Sequence, residues 1–321
     1  MKKGCFVGFD TSNYTTSVSV CDVDGNVVAN FKTPLPVASG ERGIRQSDAV
    51  FAHIKNLPEL CGERLRDVFR DYTPIGVGVS TRPRSVEGSY MPCFLSGVAA
   101  AHSFAAGIGV PVNEFSHQDG HVMAALYSSG QSERLLLDDF IAFHVSGGTT
   151  EVLLANPMEN SFKLTLVGET DDINAGQLID RVGVMLGIDF PCGRELEVLA
   201  GVGSLKLQRV KTVVREIDGV IKCNLSGAEN IAKRMLDEKK EKSEIAAYIF
   251  ATVCETLFKM SEMTIEKYGN MPIIFSGGVM SNKLMRERLS SRFDASFAEP
   301  AFSADNAAGI ALLCRNKMMK K

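Results

Sequence analysis

Over the first third of the chain, apolar and polar positions alternate in short blocks. Apolar and β-branched residues dominate 5–9, 16–23 and 27–31, and Asp24-Gly25-Asn26 separates the second block from the third. Runs of this kind, bounded by turn residues, predict three strands. Residues 47–69 read as a helix that Pro58 is expected to break or kink, since proline lacks an N–H and crowds the preceding turn. Positions 75–80 read as a buried strand, 95–107 as an Ala-rich helix and 111–115 as a short strand. The order β-β-β-α-β-α-β-α is an α/β layout.

The pattern then starts again. Strands are expected at 139–145, 150–154 and 162–167, and helices near 175–186, 194–200, 228–236 and 243–268. A strand at 273–275 and helices at 283–292 and 307–317 complete the chain. The stretch 9–18 lies over 143–152 with Phe, Ser, Thr, Thr and Val coinciding. The expectation is a duplicated α/β chain with domains at 1–134 and 135–321. Turns rich in Ser, Thr and Gly offer backbone N–H groups and hydroxyls to phosphate. Ser12, Thr15 and Ser146-Gly147-Gly148-Thr149 supply one such turn per half. Two facing turns around a nucleotide cleft are the arrangement of the actin-like and sugar-kinase-like ATPase fold. Gly277-Gly278 after the strand at 273–275 suits backbone lying against a base or ribose, with Asn282 as a polar reader.

Composition narrows the class. With 321 residues, 45% hydrophobic and 23% charged, the chain is globular and suggests about two domains. No apolar run reaches the ~18–20 residues of a membrane span, and Met1-Lys2-Lys3 opens a strand rather than an export signal. Eight cysteines with no C-x-x-C pair argue against a zinc ribbon or disulfide framework, and for reduced thiols in a cytoplasmic protein. A net charge of −3 implies that any RNA contact is local or supplied by a partner.

Ser116-His117-Gln118-Asp119-Gly120-His121 is the sharpest local motif. Ser116 and Asp119 form a capping-box pattern, so a helix should start here. His117 and His121 then stand one turn apart on one face, the spacing at which two imidazoles can hold one divalent metal. The alternative is an ordinary surface pair. Gln118 replaces the Glu of H-E-x-x-H, which speaks against a zinc protease. Asp305 is a candidate third ligand; equally, it could cap the final helix.

In this order the motifs resemble the TsaD family, tRNA threonylcarbamoyltransferases once described as O-sialoglycoprotein endopeptidases. The similarity is carried by 117–121, 145–150, 168–181, Phe190-Pro191-Cys192-Gly193, 277–282 and 305–311. It implies one divalent ion, iron or zinc, held by His117, His121 and Asp305. It implies threonylcarbamoyl adenylate, or another adenine nucleotide, at Val145, Ser146, Gly147, Gly148 and Thr149, with Asp180, Gly193 and Asn282 on the nucleoside. The acceptor would be the adenosine beside the tRNA anticodon, reached with partner proteins of a tRNA-modification complex and without a membrane.

Four departures stand out. Tyr14 occupies the place of a family carboxylate, Thr149 that of a histidine and Glu229 that of a lysine, and residues 81–90 replace a glycine-rich turn. Tyr14, Arg82 and Arg84 become the candidate catalytic groups; the two arginines could fork onto a carboxylate or phosphate, or be a solvated turn. Basic clusters at 206–215, 233–242 and 315–321 read as solvated helix faces. The leading reading is a tRNA threonylcarbamoyltransferase. A diverged paralogue acting as a small-molecule carbamoyltransferase, and a non-catalytic nucleotide-binding partner subunit, are the alternatives.

Overall fold

The computed structural model describes residues 2–36, 44–159, 161–202 and 210–319. Two compact units emerge. Met1–Leu137, Pro157–Leu164 and Ala301–Lys321 form the first, and Asp138–Asn156 with Thr165–Pro300 the second.

In the first unit β1 (Lys3–Thr11), β2 (Thr15–Asp22), β3 (Val27–Pro34), β4 (Tyr72–Arg82) and β5 (Val112–Ser116) form one sheet in the order β3-β2-β1-β4-β5. The first three strands are antiparallel, while β4 runs parallel to β1 and β5 parallel to β4. Alternation along β1 sends neighbouring residues to opposite faces. Phe9 meets Phe104 of the Phe94–Ile108 helix, with ring centroids 6.0 Å apart. Val18, Val77, Val79, Leu57, Leu60 and Leu65 join the same core. On the other face lies the final helix, Ala308–Met319; a Cβ on Gly8 would meet the Ala307 carbonyl oxygen at 2.5 Å.

The second unit carries β6 (Phe140–Val145), β7 (Thr150–Pro157), β8 (Phe162–Thr170), β9 (Val213–Ile217), β10 (Val220–Asn224), β11 (Ile273–Ser276) and β12 (Ala295–Phe297). Their order is β12-β11-β6-β7-β8-β10-β9. Read from β8 to β12, this is the order of the first sheet again, strand for strand, with β9 and β10 added at one edge. Its core stacks Phe143, Phe275 and Phe297, with centroids 4.8 and 5.2 Å apart, against the Lys242–Tyr268 helix.

Several expectations change. The final helix was assigned with residues 135–321 to the second domain; it packs in the first unit, so Asp305 belongs to the same unit as the two histidines. Pro58 does not end its helix: Gln46–Glu59 continues through one wide turn, Leu60–Arg64, in which the Leu65 N–H reaches the Leu60 carbonyl, into Leu65–Val68. Proline removes only the one donor that would bond residue 54, and the helix carries on past it. The basic cluster at 206–215 is not a helix where it is described: residues 206–209 lie outside the described residues, and Arg215 sits on β9, 3.6 Å from Asp171. All eight cysteines are free thiols, seven buried and Cys61 half-buried. Burial pushes Cys5, Cys223, Cys254 and Cys314 up to about 12. Among the described residues no helix is long and apolar enough to cross a membrane.

Candidate functional site

Three parallel strands of the first sheet deliver polar groups at their carboxyl ends, where α/β sheets place ligands. β1 ends near Asp10, β4 near Ser80 and β5 at Ser116. The Ser116 hydroxyl accepts the Asp119 N–H at 3.1 Å, and the Asp119 carboxylate accepts the Ser116 N–H at 3.2 Å. This reciprocal cap starts the His117–Ser128 helix where the sequence placed it. His117 therefore opens the first turn and His121 the second, on one face.

The candidate third ligand comes from far along the chain. A Cβ on Gly309 would lie 1.9 Å from the Gly120 carbonyl oxygen, so only glycine lets the final helix touch the histidine helix backbone to backbone. That contact places Asp305, four residues earlier, beside both imidazoles. Capping of the final helix falls to Asn306, whose side-chain oxygen accepts the Ala308 N–H at 3.1 Å. Asp305 is thereby left to the histidines.

Ligand atoms of His117, His121 and Asp305 all lie within 4.8 Å of one another. The two Nε2 atoms are 2.9 Å apart, and Asp305 Oδ1 is 3.2 Å from His121 Nε2 and 3.7 Å from His117 Nε2. His117 Nδ1 stands 2.9 Å from Asp10 Oδ1, which also accepts the Ser80 hydroxyl. A carboxylate accepts, so Nδ1 carries the proton of that contact and Nε2 turns its lone pair toward His121 and Asp305. Burial pushes the Asp305 carboxyl up. The hydrogen bond from His121, the positive charge that either imidazole carries when protonated, and the Ser12 hydroxyl donated at 2.6 Å outweigh it and hold the group well below the ordinary carboxylate range. Asp10 is 0% exposed, and among the described residues its Oδ2 has no hydrogen-bond partner. Two imidazole nitrogens and a carboxylate oxygen converging over a buried carboxylate fit a divalent cation: the donor set suits iron or zinc, and Asp10 orients His117 from behind.

Other residues singled out in the sequence take less direct places. Tyr14 is 44% exposed at the β1–β2 turn, and its carbonyl accepts the Leu35 N–H. Ser12 and Thr15 share that turn, with Ser12 committed to Asp305 and, more weakly, to the Thr15 carbonyl at 3.4 Å. Arg82 donates to the Thr81 hydroxyl at 3.2 Å, and the Arg84 N–H donates to the Ser89 hydroxyl at 3.0 Å in an exposed loop. Glu229 pairs with Arg181 at 3.1 Å.

In the second unit, Val145 ends β6 and the turn 146–149 follows. The Ser146 hydroxyl accepts the N–H groups of Gly148 and Thr149 at 3.2 and 3.1 Å, so the turn holds its own shape. Gly277 has φ 96°, and a Cβ there would lie 2.1 Å from the Val145 carbonyl oxygen. The two glycine-bearing segments are therefore in backbone contact, with Gly278 next along the chain. Asn282 is buried and caps the Lys283–Ser290 helix, accepting the Met285 N–H at 3.0 Å; among the described residues its Nδ2 has no hydrogen-bond partner. Asp180 accepts the Cys192 N–H at 2.9 Å just before Gly193 opens the Gly193–Val202 helix. Burial raises the Asp180 carboxyl, partly offset by that N–H.

Ser80 escaped sequence reasoning, as did the contact of Asp10 with His117. The one available signal was an acidic residue closing the apolar run 5–9.

The sequence model of TsaD, tRNA N6-adenosine threonylcarbamoyltransferase, matches residues 30–312. The chain belongs to the TsaD family. It is similar to the tRNA N6-adenosine threonylcarbamoyltransferase of Streptococcus pneumoniae strain Taiwan19F-14, 28% identical over 300 residues, 91% of this chain and 84% of that one. The same enzyme of S. pneumoniae serotype 2 strain D39 is 28% identical over 323 residues, covering 97% and 91%. Among solved structures, full-length HypF in its phosphate- and nucleotide-bound form superposes with a TM-score of 0.60 at 14% identity, over 100% of this chain and 56% of that one. A ROK family glucokinase from Streptomyces griseus gives 0.53 at 13% identity, over 97% and 99%. These likenesses show a shared fold, that of the actin-like ATPases and sugar kinases. The TsaD family is one of transferases.

Proposed function

We propose that this TsaD family member transfers a threonylcarbamoyl group from threonylcarbamoyl adenylate to the adenosine beside the anticodon of tRNA, in the cytoplasm, with partner proteins and one divalent ion, iron or zinc. The observation that carries the reading is the convergence of His117, His121 and Asp305, with Asp10 behind His117, in a chain of this family. When bound, the ion would supply Lewis acidity toward the carbamoyl oxygen. The residues divide the remaining work. Asp10 holds the proton on His117 Nδ1, and Ser12 holds Asp305 Oδ2 so that Oδ1 faces the imidazoles. The turn 145–149 would bind the adenylate phosphate with Gly277 and Gly278 alongside, and Asp180, Gly193 and Asn282 would take the nucleoside. Arg82 and Arg84 are the candidates for stabilising negative charge that builds on the transferred group.

A second reading keeps the same site with a small-molecule acceptor. It is favoured by the exposed Tyr14, by Thr149, and by the engagement of Glu229 with Arg181. A non-catalytic subunit would have no use for the retained metal triad. The test is reaction of purified protein, ferrous or zinc ion, threonylcarbamoyl adenylate, unmodified tRNA and the family's partner proteins, read by mass spectrometry of nucleosides. Modified adenosine is the expected product, lost in His117→Ala. Adenylate hydrolysis without RNA modification would transfer the proposal to the small-molecule acceptor. Binding without turnover would sink both enzymatic readings.

A further inference from the structure

Beneath the β1–β2 turn lies a histidine that the metal triad does not use. His53, on the Gln46–Glu59 helix, is 0% exposed. Its Nε2 is 2.8 Å from the Ser12 carbonyl oxygen, and its Nδ1 is 2.8 Å from the Thr16 hydroxyl. A carbonyl can only accept, so Nε2 carries the proton and Nδ1 accepts from Thr16. The Thr16 hydroxyl in turn accepts Asn56 Nδ2 at 3.0 Å. Every donor in this chain therefore has a defined direction: Asn56 to Thr16, Thr16 to His53, His53 to Ser12. The next link is the Ser12 hydroxyl, which donates to Asp305 Oδ2 at 2.6 Å. Ser12 is thus gripped by its carbonyl from one side and spends its hydroxyl on a metal-ligand carboxylate on the other.

We propose that His53 is a positioning residue for the metal centre, acting through Ser12 on Asp305. The inference rests on the metal reading of His117, His121 and Asp305. Ser12 sits at the end of a hairpin strand, where the backbone has the most freedom. Fixing its carbonyl fixes the direction of its hydroxyl, and the hydroxyl decides which Asp305 oxygen is occupied and which faces His121. Partners that orient ligands in this way are typically worth about 10–100-fold in metal affinity. Burial lowers the tendency of the ring to protonate, so the neutral tautomer that the carbonyl requires is the one the site favours.

The experiment is cobalt(II) titration of the full chain, followed by ligand-field absorption, below the melting temperature of each variant. His53→Leu is expected to bind cobalt about tenfold more weakly. His53→Gln, which can donate to the Ser12 carbonyl and accept from Thr16, should recover most of the loss. Ser12→Ala should weaken binding similarly, and adding His53→Leu to it should weaken binding no further. A merely structural histidine would lower the melting temperature and leave cobalt affinity of the folded protein unchanged, which overturns the proposal. So does a full additional loss in the Ser12→Ala background. If His53→Leu does not fold, Thr16→Val and the wild type decide the matter. Thr16→Val should weaken cobalt binding several-fold, and by reciprocity of coupling cobalt or zinc should slow exchange of the His53 Nε2 proton in nitrogen-15 NMR. Unchanged affinity with unchanged exchange rejects the role. Absence of cobalt binding by the wild type rejects the metal reading itself, and this inference with it.

Discussion

Asp172 shows how a residue inside a family motif can serve the fold. Its carboxylate accepts the N–H groups of Ile173, Leu225 and Ser226 at 2.7, 2.8 and 3.0 Å, and the Ser226 hydroxyl at 2.6 Å, at the start of the Ser226–Asp237 helix. Burial pushes its pKa up, but these donors outweigh it and bring the group down to about 2. A depressed carboxylate contributes stability above its unfolded pKa, near 3.9, and loses it as pH falls toward the folded value. Asp172→Asn should therefore cost about 1 kcal/mol at pH 7, since the exposed carboxylate is screened by water. It should also flatten the decline of stability between about pH 4 and pH 2. Urea melts of both proteins across that range check it; parallel curves would contradict the assignment. At this scale the sequence was legible wherever chemistry is encoded by near spacing. His117 and His121 were found by a four-residue interval. Ser80, His53 and the contact of Asp10 with His117 were not, because these groups meet their partners only after strands and helices from distant parts of the chain pack together.

Elements were legible where periodicity is strong and illegible where it is short or where a helix is placed by what its residues lack. The β9–β10 hairpin went unseen because charged residues dilute its alternation, although Asp218-Gly219, with φ 50° and 81°, is the two-residue turn that joins such strands. The final helix was anticipated, but its address was not. Its alignment on the first sheet depends on small residues, and no apolar pattern announces a backbone-to-backbone contact. Gly309→Val would drive a side chain into the Gly120 carbonyl. Because the obstruction is backbone rather than a movable side chain, the helix must shift, at a cost of about 3 kcal/mol. Asp305 would move with it. The expected outcome is a lower melting temperature together with lost cobalt binding, whereas an exposed change such as Lys240→Gln should alter neither. Full cobalt affinity in Gly309→Val would show that Asp305 is placed by something other than this helix contact.

Across the molecule, one strand order is used twice and the candidate chemistry is divided. The candidate metal triad His117, His121 and Asp305 and its supports belong entirely to the first unit, while Val145–Thr149, Asp180, Gly193, Gly277 and Asn282 belong to the second. The duplication was legible from coincident letters in two strand-turn-strand segments, because a repeated fold retains its hairpins. The division of labour was obscured by the final helix, which returns to the first unit after the whole of the second has been built. That division makes a prediction that separates the two determinants. Gly277→Val should distort the contact with Val145 in the second unit and leave the histidines untouched. His117→Ala should remove a metal ligand and leave the glycine contact intact. A ligand at one hundred times its dissociation constant stabilises the form that binds it by about 2.7 kcal/mol, a rise of roughly 5–10 °C for domains of this size. In differential scanning fluorimetry, ATP or AMP should raise the melting temperature of the wild type and of His117→Ala, but not of Gly277→Val. Cobalt should stabilise the wild type and Gly277→Val, but not His117→Ala. A full nucleotide response in Gly277→Val would remove the nucleotide from the 145–149 and 277–278 segments. Loss of both responses in either variant would mean that the sites are coupled, because a change confined to one unit would then have reached the ligand of the other.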